Sequence, residues 1–161
     1  MKRVFIKRLE QIQLIIGVVF LCIFFAAILV QVVSRQLGVS VLWTGEVANY
    51  SFIWAVFMGA AVMVNKKEHF NFDLLAKKLK GKAKYALNIT IDVILIAFSS
   101  VLFIYSLTAL TTFWSYQWVT IPALKMGYVW ISLPIMAGTM VIYLAAHVFT
   151  SVKLISARGG E

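Results

Sequence analysis

Long uncharged stretches divide the sequence into apolar spans and short charged connections. Residues 11–34 and 47–65 carry no charge, and a third uncharged stretch runs from residue 93 to residue 124. About 20 helical residues cross the hydrocarbon core of a bilayer, where a helix satisfies its own backbone hydrogen bonds. Within one membrane domain that covers residues 1–161, the pattern predicts four transmembrane helices, at about 11–34, 47–66, 87–113 and 128–152.

Composition supports an all-α integral membrane protein. Of the 161 residues, 62% are hydrophobic and 13% are charged, whereas soluble domains are roughly half apolar and a quarter charged. The net charge of +9 would suggest nucleic acid binding in a soluble chain. Here the basic residues lie between the apolar spans, as they do in membrane proteins, so we expect no nucleic acid partner.

The distribution of basic residues predicts the orientation. Thirteen of the 15 Lys and Arg residues lie in the N-terminus, the connection between the second and third spans, and the C-terminus. Only Arg35 and Lys125 fall on the other side of the membrane. Because basic loops stay in the cytoplasm, both termini and the central connection are expected inside. Four tryptophans fall at the opposite interface, as amphipathic rings prefer: Trp43, Trp114, Trp118 and Trp130.

The basic stretch "FNFDLLAKKLK" predicts a short amphipathic helix at about 70–80. Its apolar residues Phe72, Leu75 and Leu79 share one helical face, while its charged residues share the other. Such a helix lies in the membrane interface, with its lysines towards anionic lipid headgroups. The charged side chains are Asp73, Lys77 and Lys80, with Lys78 beside them. A solvated basic loop that only sets the topology is the alternative.

Candidate chemistry is sparse in this chain. It has no phosphate-binding loop, no HExxH motif and no nucleophile elbow, and the single cysteine, Cys22, excludes an intrachain disulfide. We therefore expect no catalytic site, metal site or cofactor. His69 and His147 leave one alternative open, a haem-binding membrane anchor subunit of a redox complex. No charge lies near the middle of a span, which argues against a self-sufficient carrier.

Small residues predict surfaces for close helix packing. Ser51, Ala55 and Gly59 recur every four residues on the second span, a pattern that lets helices approach closely. Pro134 and Gly138 mark a second such groove on the fourth span. These surfaces either close the helices on each other or bind a partner.

Three segments carry a resemblance to a known family. After Arg35, the sequence continues with "WTGEVANY", "FMGAAVMVNKKEHFNFDLL" and "IPALKMGYVWISLPIMAG". In order and spacing these segments resemble the DctQ-like small membrane subunit of tripartite ATP-independent periplasmic (TRAP) transporters, over all four spans. The matching positions are Arg35, Trp43, Glu46, Gly59, Ala60, His69, Asp73, Pro122, Pro134 and Gly138.

The resemblance implies a non-catalytic, multi-pass subunit in the bacterial inner (cytoplasmic) membrane. In this family the small subunit associates with a large membrane subunit that carries the sodium and substrate sites. A periplasmic binding protein delivers an organic acid, such as sialic acid or a C4-dicarboxylate. This chain is then expected to scaffold and anchor the large subunit.

The resemblance also implies roles for individual residues. Trp43 and Glu46 are expected to hold the outer end or to meet the binding protein, and His69 with Asp73 to fix the turn into the interfacial helix. The full set expected at the partner interface is Arg35, Trp43, Glu46, Ser51, Ala55, Gly59, Pro134 and Gly138.

Overall fold

The computed structural model describes residues 2–66 and 82–158, and these residues form helices and connecting loops without a strand. The helices are α1 (Lys2–Gln36), α2 (Trp43–Lys66), α3 (Lys82–Phe113), α4 (Gly127–Trp130) and α5 (Ser132–Arg158). In chain order α4 and α5 together form the fourth span.

Four stretches of the described residues are long and apolar enough to cross a membrane: Val4–Gln36, Trp43–Lys66, Leu87–Phe113 and Gly127–Lys153. The predicted all-α fold with four transmembrane helices is therefore confirmed. The interfacial helix predicted at about 70–80 lies outside the described residues. The orientation with both termini in the cytoplasm stays a prediction.

The helix ends differ from the edges of the uncharged stretches for physical reasons. α1 begins at Lys2, well before residue 11, because charged residues are excluded from the hydrocarbon core but not from a helix. The fourth span is interrupted at Ile131, between α4 and α5. Pro134 explains the interruption, since it has no N–H to donate to the carbonyl of Trp130 and its ring clashes with that carbonyl.

The loop between α1 and α2 begins with a left-handed glycine. Gly38 has a φ of 72°, which a glycine adopts without steric cost. The Gly38 N–H donates to the Arg35 carbonyl at 3.2 Å, and the Val39 N–H donates to the Ser34 carbonyl at 2.9 Å. This pair of bonds is a Schellman motif, which satisfies the last carbonyls of α1 and turns the chain back.

The helices form two hairpins that pack through α2 and α5. α1 packs against α2, α3 packs against α5, and α2 against α5 joins the pairs. As a result α1 and α3 lie at the two edges of an open layer. In the most apolar window of each span, 6% of the residues of the α1 span and 11% of those of the α3 span are buried, against 33% for α2 and 44% for the fourth span.

The core lies at the junction of α2 and α5. Ala61 and Val64 of α2 pack with Met140, Tyr143 and Leu144 of α5, and all five are buried. Methionine fills irregular gaps between helices because its side chain is unbranched and flexible. The central pair of helices is thus the best-packed part of the layer.

Candidate functional site

A carboxylate binds a loop at the end of the layer where α2 begins. We call this the outer end, because the distribution of basic residues predicts that it faces away from the cytoplasm. Glu46 lies in the first turn of α2. Its Oε1 accepts a hydrogen bond from the Val119 N–H at 2.8 Å, and its Oε2 accepts one from the Thr120 N–H at 2.8 Å. The Thr120 hydroxyl also donates to Oε2. Hydrogen bonds to an ionised acceptor are stronger than those between neutral groups.

The loop that Glu46 binds is a narrow hairpin between α3 and α4. The Trp118 N–H donates to the Leu124 carbonyl at 3.0 Å, and the Met126 N–H donates to the Tyr116 carbonyl at 2.7 Å. Gln117 and Lys125 form an isolated bridge between its two sides. At its tip the Val119 side chain is 86% exposed. Glu46 therefore orders a structured loop that projects from the outer end of the helices.

A glycine fixes the point where the hairpin enters α4. A Cβ added at Gly127 would lie 2.4 Å from Cε3 of Trp114, closer than packed atoms approach. Trp130 of α4 stacks on Phe113 at the end of α3, with ring centroids 4.8 Å apart. The absence of a side chain at Gly127 thus lets α3 and α4 meet through aromatic rings.

Aromatic side chains also line a crevice between the hairpin and the helices. Tyr50 packs edge-on against Trp118 at 4.5 Å, and Phe20 of α1 stacks on Trp54 of α2 at 5.0 Å. The Trp54 indole N–H donates to the Tyr128 carbonyl at 2.9 Å. The crevice encloses about 340 Å³. The crevice therefore joins α1, α2 and the beginning of α4 through aromatic rings.

A second set of polar side chains links α1 to α5 and to α2. Gln13 of α1 is 2% exposed, and its Nε2 donates to the Thr139 hydroxyl of α5 at 2.8 Å. The Tyr143 hydroxyl donates to Gln13 Oε1 at 2.5 Å. Between α2 and α1, Asn65 Nδ2 donates to Glu10 Oε2 at 2.7 Å. Polar side chains join helices in this way inside membranes.

The comparison with known families agrees with this architecture. The family described as "Tripartite ATP-independent periplasmic transporters, DctQ component" matches residues 24–154, which include the last part of the first span and all of the other three. The chain belongs to the DctQ family. No curated protein matches it. As a DctQ protein, the chain is a multi-pass membrane component of a TRAP transporter.

Some of the residues that the family resemblance implied lie together at the outer end of this DctQ protein. Glu46 binds the hairpin, Trp43 at the start of α2 is 44% exposed, and Arg35 lies in the last turn of α1. Arg35 also lines an open cavity of about 400 Å³ along the α1–α2 loop. Arg35 and Trp43 are thus available on the outer surface, while the carboxylate of Glu46 is engaged within the chain.

The small residues of α2 pack within the chain. A Cβ added at Gly17 of α1 would lie 3.7 Å from the Ala55 carbonyl oxygen and 3.9 Å from the Gly59 nitrogen. Ser51, one turn before Ala55, is 5% exposed. This part of the small-residue surface therefore receives α1, which was one of the two alternatives that the sequence left open.

Pro134 and Gly138 line a groove between α3 and α5. A Cβ added at Gly138 would lie 3.2 Å from Phe103 of α3. Gly138 thus lets Phe103 reach the floor of a groove that encloses about 660 Å³. This groove is apolar and open to the surroundings.

The predicted inner-side residues fall outside the part of the chain that the structure describes. These residues are His69, Asp73, Lys77, Lys78 and Lys80. Their proposed roles in the interfacial helix and its turn stay predictions. The pairing of His69 with His147 that a haem would need stays a hypothesis for the same reason. Over residues 2–66 and 82–158, no group of three or more His, Cys, Asp and Glu side chains could hold a metal ion.

Sequence reasoning missed the partners of Glu46 and the polar group around Gln13. Glu46 was identified at a helix start, but Thr120 is 74 residues away in the sequence and the loop carries no motif. The available indications for the contacts of Gln13 were its position inside an apolar span and the four-residue spacing of Thr139 and Tyr143. A polar side chain within a span predicts a hydrogen-bonding partner on another helix.

Proposed function

We propose that this chain is the non-catalytic small membrane subunit of a sodium-coupled TRAP transporter for organic acids such as sialic acid or C4-dicarboxylates. It scaffolds and anchors the large transport subunit in the bacterial inner membrane, while a periplasmic binding protein delivers the substrate. The observation that carries this proposal is the DctQ family match over residues 24–154.

The distribution of charge supports a scaffold over a carrier. Glu46 lies in the first turn of α2, and Asp92 lies near the beginning of the Leu87–Phe113 span. An ion-coupled carrier needs ionisable groups or broken helices near the middle of the membrane. The interruption at Ile131 lies near the outer end of its span. Translocation therefore belongs to the large subunit.

The open layer supports the same division of roles. Among the described residues, only 6% of the most apolar window of the α1 span and 11% of that of the α3 span are buried, so most of the surface of these two helices is exposed. Aromatic rings at the outer end fix the depth of the helices in the bilayer. A thin, anchored layer of this kind widens the stationary part of a larger assembly without needing to move itself.

The outer surface supports two roles for the predicted interface residues. Both oxygens of Glu46 bind the hairpin. This favours a role for Glu46 in holding the outer end of the chain together over a role in contacting the binding protein. Trp43 and Arg35 are the exposed members of the predicted set on this surface. We propose that they face the periplasmic binding protein when it docks.

Copurification tests the proposal. The protein, tagged at its native expression level, is extracted in mild detergent, and the copurifying proteins are identified by mass spectrometry. A tagged, unrelated four-span membrane protein serves as the control. We expect a stoichiometric, much larger polytopic subunit only with this chain, and loss of sodium-dependent organic acid uptake when the chain is deleted. Recovery of the chain alone, or with a haem-containing redox partner, would overturn the proposal.

A further inference from the structure

α1 turns one face towards α2 and the opposite face away from the chain. Gly17 lies against Met58 of α2, and Phe20 stacks on Trp54. Since successive residues of a helix are about 100° apart, the residues opposite Gly17 and Phe20 form a single surface, and all of them are exposed. We call this surface the outward face of α1: Ile12, Ile15, Val18, Val19, Cys22, Phe25, Ala26, Leu29, Val30 and Val33.

The outward face is apolar over a length that matches the hydrocarbon core of a bilayer. From Ile12 to Val33 it carries no charged or amide side chain, and the two residues lie about 32 Å apart along the helix. The hydrocarbon core is about 30 Å thick. On the same side of α1, exposed polar residues come directly before and after this stretch, at Gln11 and Gln36.

Two cations lie at the N-terminal end of the outward face. Lys7 and Arg8 are exposed and precede Gln11 and Ile12 by four residues, which places them one turn further along the same side of the helix. Within residues 2–66 and 82–158, neither side chain has a hydrogen-bond or ion-pair partner. Two unpaired positive charges therefore lie just beyond the apolar stretch, at the level where lipid headgroups begin.

Phospholipid fits this surface better than another helix does. Helices pack together in membranes through small residues and through polar side chains that bond across the interface. The outward face has few small residues, Cys22 and Ala26, and the polar side chain of Gln13 and the backbone of Gly17 are engaged with α5 and α2 instead. A phospholipid supplies both acyl chains for the apolar stretch and a phosphate for the cations.

We propose that the outward face of α1 binds phospholipid, and that Lys7 and Arg8 select an anionic headgroup in the leaflet beside the N-terminal end of α1. The acyl chains of this lipid lie along residues 12–22, which cover about half of the hydrocarbon thickness. The predicted orientation puts the two cations on the cytoplasmic side, where anionic lipids attract basic segments. The α1 edge then stays in lipid in the assembled transporter, and the large subunit docks on other surfaces of the chain.

Photocrosslinking in intact membranes tests what covers the outward face. The photoreactive residue p-benzoylphenylalanine replaces Phe25 in one variant. In the control it replaces Phe103 of α3, which lies against Gly138 of α5. We expect position 25 to gain the mass of a phospholipid and to form no protein adduct, and position 103 to crosslink to α5 within the chain. A crosslink from position 25 to the large subunit or to a second copy of this chain would overturn the lipid surface. Recovery of the large subunit would at the same time support the proposed function, so the two can fail separately.

Lipid titration tests the selection of the headgroup. The purified full chain is titrated in mild detergent with phosphatidylglycerol or phosphatidylcholine, and bound lipid is counted by native mass spectrometry. Lys7→Gln combined with Arg8→Gln should lower the retention of phosphatidylglycerol roughly tenfold, because basic residues near the surface attract anionic lipid. It should leave the retention of phosphatidylcholine unchanged.

A matched control removes the same charge elsewhere. Lys66→Gln combined with Lys153→Gln neutralises two exposed lysines at the same end of the layer, and retention of phosphatidylglycerol should stay close to that of the unsubstituted chain. An equally large loss in this control would show that any basic residue at this end suffices, and the site at Lys7 and Arg8 would be overturned. Equal retention of the two lipids by the unsubstituted chain would also overturn it.

Discussion

Glu46 binds two successive backbone N–H groups in a loop far along the chain. Val119 lies 73 residues after it, and Trp118 of the same hairpin packs against Tyr50 of α2. Backbone donors that lose an ionised acceptor have to find water or remain unsatisfied. Glu46 thus helps to fix the position of the hairpin from the beginning of α2.

Glu46→Gln should release the hairpin while the helices stay folded. The amide has one acceptor oxygen instead of two, and its NH₂ group would face a backbone N–H. We expect faster hydrogen exchange at Val119 and Thr120 and a fall of a few degrees in Tm. Thr120→Val, which removes only the hydroxyl bond, is the control and should have a smaller effect. Unchanged exchange at both amides would show that the rings alone hold the hairpin.

For single residues, the sequence predicts the position along a helix better than it predicts the hydrogen-bonding or packing partner. It places Glu46 at the outer start of a helix and Trp43 beside it, because the uncharged stretch begins there. It does not reveal that Thr120 binds Glu46, since the hairpin has no turn motif of its own. Gly127 shows the same limit, because only the structure brings Trp114 against it.

Among the helices, α1 is held by α2 along its length and by α5 through Gln13. The four spans follow from the uncharged stretches, since length and apolar composition suffice to predict them. The sequence does not predict which spans pack side by side. Apolar helices in lipid present similar surfaces, so the sequence gives little reason for a helix to pack against one span rather than another. The hydrogen bonds of Gln13 with Thr139 and Tyr143 explain why α1 packs near α5, but they are known only from the structure.

Tyr143→Phe should weaken the contact between α1 and α5. The substitution leaves Gln13 Oε1 without its donor in a buried site, and hydrogen bonds of this kind contribute about 0.6–1.7 kcal/mol in membrane proteins. Denaturant unfolding in mixed micelles measures the loss. Thr111→Val removes a hydroxyl that bonds only to its own helix and should change stability little. A double-mutant cycle with Gln13→Leu should give a coupling energy of similar size, and zero coupling would contradict the bond.

Across the whole molecule, the proposed scaffold role requires the four helices to move as one body. α1 is the helix for which this requirement most needs a test, because only 6% of the most apolar window of its span is buried. A carrier that works by relative motion of its helices would need α1 to slide or tilt against α2. A scaffold has no such requirement, so fixing α1 to α2 distinguishes the two mechanisms.

A disulfide between α1 and α2 should leave transport unchanged. A Cβ at position 17 would lie 3.4 Å from the Met58 Cβ, close to the separation of about 3.5–4.5 Å found in disulfides. The variant carries Gly17→Cys and Met58→Cys together with Cys22→Ser, and substrate uptake is measured in vesicles that contain the large subunit. Equal uptake before and after reduction is expected, because helices that keep one arrangement lose nothing when they are linked. The two single-cysteine variants control for the substitutions themselves. Uptake that is abolished by oxidation and restored by reduction would show that α1 moves during the transport cycle, and the chain would then be part of the moving machinery.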